Sequence, residues 1–297
     1  MTDLSIIIVS YNTAEMTQNC LSNLLDVLTK NSDIKAEVIV VDNASTDSTK
    51  AVLEKMREKY QTKKQKLIVR YGVKNLGYSR ANNKGLSLSN GTYILFLNSD
   101  VLIDSISFKN LFNYFDDSKL GALTVRVVLK DGSIDPASHR GFPTIWRSFC
   151  YYLGLEKMFG KIPVLNQIFG GYHLTSRSLS KVHEIDSPTG AFYLSRREIL
   201  DKVKGFDEDF FMYGEDLDLS YRMKALGYKL LYIPGYTVTH LKYQSGIKSS
   251  DQGIQKKTQN YFYDAMRIFY NKHYGPSTPK FLNSFVLFII DLKKKSS

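Results

Sequence analysis

Two groups of acidic residues in this chain have the type and spacing to do chemistry. Asn98-Ser99-Asp100 follows the apolar run YILFL (93–97). A carboxylate at a strand end, beside an amide oxygen, is a hard-oxygen half-site for Mg²⁺ or Mn²⁺. Such ions are usually held by one or two protein carboxylates together with substrate phosphates. A turn-forming Asn/Asp pair would read the same way. Gly214-Glu215-Asp216-Leu217-Asp218 opens a helical pattern. The macrodipole accounts in part for three acids there, but a base that deprotonates a hydroxyl needs a rigidly held carboxylate, which a helix start provides. Asp42, at the end of EVIVV (37–41), can accept hydrogen bonds from a ribose hydroxyl or a base N–H. His240 follows TVT (237–239) and begins a polar segment through Gly246, whose Lys242 could contact phosphate. A lone histidine is more often structural than a ligand.

The elements that must position these residues are legible from periodicity. LSIIIV (4–9) precedes a helical face made by Met16, Cys20, Leu21, Leu24, Leu25 and Leu28, with Asn12 and Glu15 as a capping arrangement. EVIVV leads to a second helix carrying Val52, Leu53, Met56 and Tyr60. KLIVR (66–70) leads to a third over 79–89, and YILFL closes the series. Alternating strands and helices imply parallel β-α-β units and a ligand crevice at the carboxyl ends of the strands. Three polar tails converge there: Ser10-Tyr11-Asn12, Asp42-Asn43-Ala44-Ser45 and Asn98-Ser99-Asp100. The second half is less regular. GAFYLS (190–195) reads as a strand, with Ser195 to Glu198 as a capping box opening a short helix. Glu215 to Leu226 reads as a helix ended by Gly227, and KLLYI (229–233) as a strand stopped by Pro234-Gly235. From residue 251 onward the pattern is helical and basic.

The chain has 297 residues, 43% of them apolar, enough for one large domain with a sizeable core. Most of its 20 tyrosines and 17 phenylalanines are expected in core and pocket walls. A net charge of +11 suits a polyanionic partner, whether nucleic acid, anionic lipid or a diphosphate. No nucleic-acid motif accompanies it, and a salt-dependent DNA shift would be needed to favour that reading. No GxGxxG follows the first strand and no GxxxxGK[ST] occurs, against a dinucleotide-binding dehydrogenase and a P-loop enzyme. Cys20 and Cys150 form no CxxC or metal-ligand pattern and suit a reducing cytosol. No signal peptide is read at the start. Phe281 to Ile290 is an apolar stretch shorter than the roughly 20 residues that cross a bilayer. Its three- and four-residue spacing, ending in Lys293-Lys294-Lys295, predicts a helix lying in an anionic membrane interface, with a helix packed on the core or on a second subunit as the alternative.

Together these segments resemble the family 2 glycosyltransferases with the GT-A fold, and within them the rhamnosyltransferase branch. SIIIVSYN, VVDNASTD, KNLGYSRANNKGL, ILFLNSD, PTGAFYLSRREIL, GFDEDFFMYGEDLDLSYRMKALGYKLLYIP and the late His240 carry the likeness across roughly residues 3–246. The resemblance implies an α/β fold with a mostly parallel sheet flanked by helices. It implies a transferase domain over 1–246, with a nucleotide-binding half (1–100) and an acceptor and catalytic half (101–246), and a helical extension over 247–297. Ser10, Tyr11, Asn12, Asp42, Asn75 and Asn83 would line the nucleotide-sugar pocket. Gly77 and Gly85 would allow close backbone approach there, and Lys242 and Asn98 would face the donor. Asp100 and His240 would hold Mn²⁺ or Mg²⁺, and Asp216 would be the base with Glu215 as its neighbour. Two departures stand out. Asn98 replaces the first acid of the DXD pattern, and Arg80 occupies a position that is small in many relatives, where it would touch phosphate or narrow the pocket. The implied activity is inverting transfer of a sugar, rhamnose from dTDP-rhamnose as first choice, to a lipid-linked or polysaccharide acceptor in cell-surface glycan synthesis. The protein would be cytoplasmic and peripheral on the inner membrane face, with a homodimer as one possible state. Galactofuranosyl, galactosyl or glucosyl transfer, and sugar-nucleotide binding without catalysis, are the rival readings.

Overall fold

The computed structural model describes residues 2–60, 65–242 and 252–296. Its first hundred residues follow the patterning: β1 (Leu4–Ser10), α1 (Ala14–Lys30), β2 (Ala36–Asp42), α2 (Thr49–Tyr60), β3 (Gln65–Tyr71), α3 (Tyr78–Leu88) and β4 (Tyr93–Asn98). These strands lie parallel in the order β3-β2-β1-β4. β1 and β2 are buried on both faces, which is why they read as unbroken runs of Ile and Val. Register sets Val9 beside Asn98 and Ser10 beside Asp42, so the three polar tails emerge from adjacent strands at one edge.

Beyond β4 the sheet is mixed, where the resemblance implied a mostly parallel one. β5 (Val101–Ser105), α4 (Phe108–Asn113) and β6 (Leu120–Leu129) come next, then α5 (Ile145–Tyr152), α6 (Leu155–Phe159) and α7 (Pro163–Phe169). β7 (His183–Ile185), β8 (Phe192–Arg196), α8 (Arg197–Lys202), α9 (Glu215–Ala225) and β9 (Lys229–His240) follow, and α10 (Gln252–His273) and α11 (Lys280–Lys295) close the chain. β8 runs antiparallel to both β4 and β6, and β5 and β7 run antiparallel to β9. Residue periodicity marks a strand but not its direction. β9 does not stop at Pro234-Gly235. Its register against β6 jumps from Ile233 opposite Val125 to Thr237 opposite Arg126. The proline sits in that bulge, where no ladder N–H is required.

Two expected caps are absent. Asn12 lies at φ 53°, before the helix, and Thr13 precedes α1 without a side-chain cap. Ser195 does not cap α8, because its hydroxyl donates to the Gly121 carbonyl at 2.6 Å. At the far end, α10 packs on the start of α9. Ala265 and Phe269 join Phe142, Phe210 and Leu217 in one apolar cluster, and His273 meets Asp218 at 2.8 Å. α11 lies on α10, with Ile290 buried and ion pairs from Arg267 to Asp291 and from Lys294 to Asp264.

Candidate active site

At the carboxyl end of β4, Asp100 meets the end of β9. The pairing of Val101 with His240 brings the histidine Nε2 to 3.3 Å from the Asp100 carboxylate. Asp135, fully buried in the turn after β6, takes the histidine Nδ1 at 2.8 Å and the Lys242 ammonium at 2.8 Å. Burial works against a charged His240, but the carboxylates of Asp100 and Asp135 outweigh it and lift its pKa to about 9. Burial likewise opposes a charged Asp135, and His240 and Lys242 nonetheless hold it well below the usual carboxylate range.

This donor set suits a hard divalent ion. It offers one carboxylate and one imidazole whose far nitrogen is fixed by a second carboxylate, the arrangement that orients metal-binding histidines. Among the described residues no group of three or more His, Cys, Asp or Glu side chains could hold a metal ion. An ion here would therefore complete its shell from diphosphate oxygens and water.

A chain of hydrogen bonds runs from this corner to the start of α9. The Asn98 amide nitrogen lies 3.4 Å from His240 Nε2, and its oxygen accepts from the Tyr78 hydroxyl at 2.8 Å. That hydroxyl also lies 3.2 Å from the Gly190 carbonyl, and the Gly190 amide donates to Asp216 at 3.1 Å. Burial, reinforced by the charges of Glu215, Asp216 and Asp100, pushes the Tyr78 hydroxyl pKa far up, so it stays protonated. Arg140 donates to the Asp216 carboxylate at 2.7 Å. Glu215 is different: its Oε2 is buried without a hydrogen-bond partner, and burial together with the neighbouring Asp216 charge raises its pKa to about 8. Two adjacent carboxylates thus occupy contrasting environments, which is how acid and base roles are separated in enzymes. The third acid, Asp218, is fully buried against Arg222 and His273 and serves packing.

The residues expected to line the nucleotide-sugar pocket divide into two sets. Asn12 bridges the ends of β1 and β2, its amide donating to Ser45 at 2.9 Å and its side chain accepting from the Thr46 amide at 2.7 Å. Asp42 accepts from the Ser45 amide at 3.3 Å, and Asn75 holds Asn43 and the Gly77 amide, each at 2.9 Å. Tyr11 stands exposed beside them. Other expected residues are engaged elsewhere. Ser10 is fully buried, bonded to Thr13 and Thr17. Asn83 grips the Phe206 backbone through both amide atoms, at 2.8 and 2.9 Å, and Arg80 pairs with Glu208 at 3.4 Å. Gly77 (φ 85°) does permit a close backbone approach, but to protein: a Cβ there would lie 2.5 Å from the Phe211 carbonyl. Gly85 lies against Ile7 in the same way. Tyr243 to Gly246, the end of the polar segment after His240, lies outside the described residues.

Sequence reasoning missed Tyr78, Asp135, Arg140 and Gly190. Tyr78 and Gly190 lie within the segments KNLGYSRANNKGL and PTGAFYLSRREIL, whereas nothing local marks Asp135 or Arg140. A separate cavity of about 730 Å³, lined in part by His139, Tyr151, Tyr152, His173 and Arg177, includes none of the expected site residues.

Comparison with known proteins gives consistent findings. The model of glycosyl transferase family 2 matches residues 5–183. The rhamnosyltransferase WbbL of Escherichia coli (strain K12) is 30% identical over 151 residues, covering 50% of this chain and 52% of that protein. The poly-beta-1,6-N-acetyl-D-glucosamine synthase of Staphylococcus aureus (strain COL) is 24% identical over 234 residues, 78% of this chain and 48% of that one. The chain thus spans about half the length of these curated relatives. Among solved structures, the mannosyltransferase PcManGT from Pyrobaculum calidifontis, in complex with GDP-Man and Mn²⁺, superposes with a TM-score of 0.57 at 18% identity, over 90% of this chain and 64% of that one. The shared architecture is the GT-A fold.

Proposed function

The chain belongs to glycosyl transferase family 2, and on that premise we propose that it transfers a sugar, with inversion, from a nucleotide diphosphate to the hydroxyl of a lipid-linked or polysaccharide acceptor. Asp216 takes the acceptor proton as the acceptor oxygen bonds to the anomeric carbon. The bond from that carbon to the diphosphate breaks on the opposite face, and the nucleoside diphosphate departs with the electron pair. The observation that carries this reading is the hydrogen-bond chain His240–Asn98–Tyr78–Gly190–Asp216, which joins a cation corner to a carboxylate at a helix start. Leaving-group and attacking ends of one displacement need that relation.

Arg140 and the Gly190 amide orient Asp216, while Glu215, neutral when protonated, donates a hydrogen bond to substrate. Lys242 faces the diphosphate from Asp135. Asp100 and His240 would hold Mn²⁺ or Mg²⁺, which when bound would supply positive charge to the leaving diphosphate. Tyr11, Asn12, Asp42 and Asn75 contact the nucleotide. Residues 1–246 form the transferase unit in this reading, in its nucleotide-binding (1–100) and acceptor (101–246) halves, with 247–297 as an extension.

The first-choice donor is dTDP-rhamnose, favoured by the likeness to a rhamnosyltransferase. The protein works at the inner face of a cell membrane, with α11 against anionic lipid. Among the described residues no helix is long and apolar enough to cross a membrane. The test is nucleoside diphosphate release from a panel of dTDP-rhamnose, UDP-galactofuranose, UDP-galactose, UDP-glucose, UDP-N-acetylglucosamine and GDP-mannose. Asp216→Asn should leave donor binding nearly intact and cut turnover by at least about 10²-fold. More than a tenth of wild-type turnover, well above what the loss of a general base worth at least about 10²-fold would leave, would remove Asp216 from the role of base.

A further inference from the structure

The segment 145–169 is built inside out. The buried residues of α5, α6, α7 and their connections are Cys150, Glu156 and Asn166, a thiol and two polar groups. Glu156 accepts from the amides of Tyr172 and His173 at 2.9 and 3.0 Å, and Asn166 donates to the Gly160 carbonyl at 3.0 Å. Ile145, Leu155, Phe159, Leu165 and Phe169 are half-buried, and the other large apolar side chains face outward. Trp146, Phe149, Met158, Ile162, Val164 and Ile168 are all exposed, Val164 by 69%. α11 repeats the pattern: Ile290 is buried, while Phe281, Phe285, Phe288 and Leu292 form an exposed stripe at spacings of four, three and four.

The two surfaces adjoin. The Tyr152 hydroxyl of α5 contacts Met266 Sδ of α10 at 3.6 Å, and the Lys293 ammonium of α11 lies 5.8 Å from the centre of the Tyr152 ring. An exposed apolar surface built from several elements marks an interaction site. Its charges identify the partner. Lys157, Lys161, Lys280, Lys293 and Lys295 are exposed, whereas the acids of the same segments are withdrawn, Glu156 into the interior and Asp291 onto Arg267.

We propose that α5–α7 and α11 together form one docking surface for an anionic phospholipid bilayer. Aromatic and aliphatic side chains enter the interface, and the lysines meet lipid phosphates. A second copy of the chain fits less well, because a symmetric contact would set this lysine set against itself. The proposal extends the α11 reading above by a second element and does not depend on the sugar chemistry.

Trp146 is the single tryptophan of the chain and lies within the surface, so its emission reports on the segment directly. The full chain is mixed with phosphatidylcholine vesicles, with and without phosphatidylglycerol, and with the same lipids carrying brominated acyl chains. Emission should shift to the blue and be quenched by the brominated chains when phosphatidylglycerol is present. Ile162→Asp/Val164→Asp should abolish the shift. Both positions lie at the start of α7, where an acid favours the helix, so the variant keeps its fold. Phe285→Asp/Phe288→Asp should weaken co-sedimentation. If the chain sediments with vesicles but Trp146 is neither shifted nor quenched, α11 docks alone and the proposal fails. If nothing binds vesicles, it fails as well, and ultracentrifugation then tells self-association from a free surface. Nucleoside diphosphate release onto a soluble acceptor should be unchanged in both variants. A wild-type chain that binds these vesicles but releases no nucleoside diphosphate from any donor counts against the transferase reading and leaves the docking surface standing.

Discussion

Replacing Glu215 by Gln removes a charge that the folded chain accommodates unfavourably. Glu215 is the first residue of α9, its Oε2 is buried without a partner, and the nearby guanidinium of Arg140 is directed to Asp216. Burial and the Asp216 charge raise its pKa from 4.5 to about 8. A carboxyl group raised in the folded state contributes stability that is complete below the unfolded value and is lost as pH rises through the folded one. The loss here begins near pH 4.5 and is largely complete by pH 9. At about 1.4 kcal/mol per pKa unit it approaches about 5 kcal/mol, equivalent to a melting-temperature change on the order of 10 °C for a chain of this size. Glutamine keeps the shape and cannot ionise. Melting curves of wild type and Glu215→Gln should nearly coincide at pH 5 and diverge steadily, with the variant melting higher at pH 9. A pH-independent offset, or a wild type that gains on the variant as pH rises, would refute the buried-carboxylate reasoning. The same experiment bears on mechanism, since a carboxyl that burial keeps protonated can donate a hydrogen bond but cannot take the acceptor proton.

EDTA should abolish transfer and added Mn²⁺ or Mg²⁺ restore it; Asp100→Ala should weaken metal-dependent donor binding more than His240→Ala, and full activity in EDTA would leave Lys242 to carry the charge. Asp135→Asn removes the anchor shared by His240 and Lys242, and should weaken metal binding about 10- to 100-fold by titration calorimetry while turnover at saturating metal recovers. Gly77→Ala places a Cβ 2.5 Å from the Phe211 carbonyl at a φ of 85°, and should destabilise the chain by about 1–3 kcal/mol in denaturant unfolding; an unchanged midpoint would mean the 211 loop yields freely.

The sequence by itself determined the first hundred residues of this fold. Buried parallel strands such as β1 and β2 must be continuous apolar runs, helices covering them must show a 3.6-residue face, and polar residues ending adjacent parallel strands must share one edge. Pattern alone therefore put Asp42 and Asp100 at the carboxyl edge of the sheet and Glu215 and Asp216 at a helix start, where the structure has them. Tertiary structure alone decided which side chains meet. Ser10 and Asn83 have the right chemistry and the right place along the chain, yet each turns to a protein partner, because hydrogen-bond direction depends on neighbours distant in sequence. The same holds for what was missed. Asp135 lies 105 positions from His240 and Arg140 lies 76 positions from Asp216. Tyr78 reaches across 112 positions to Gly190. Such pairs arise from strand order, with β8 inserted antiparallel between β4 and β6, and periodicity along one strand carries no information about which strand lies beside it.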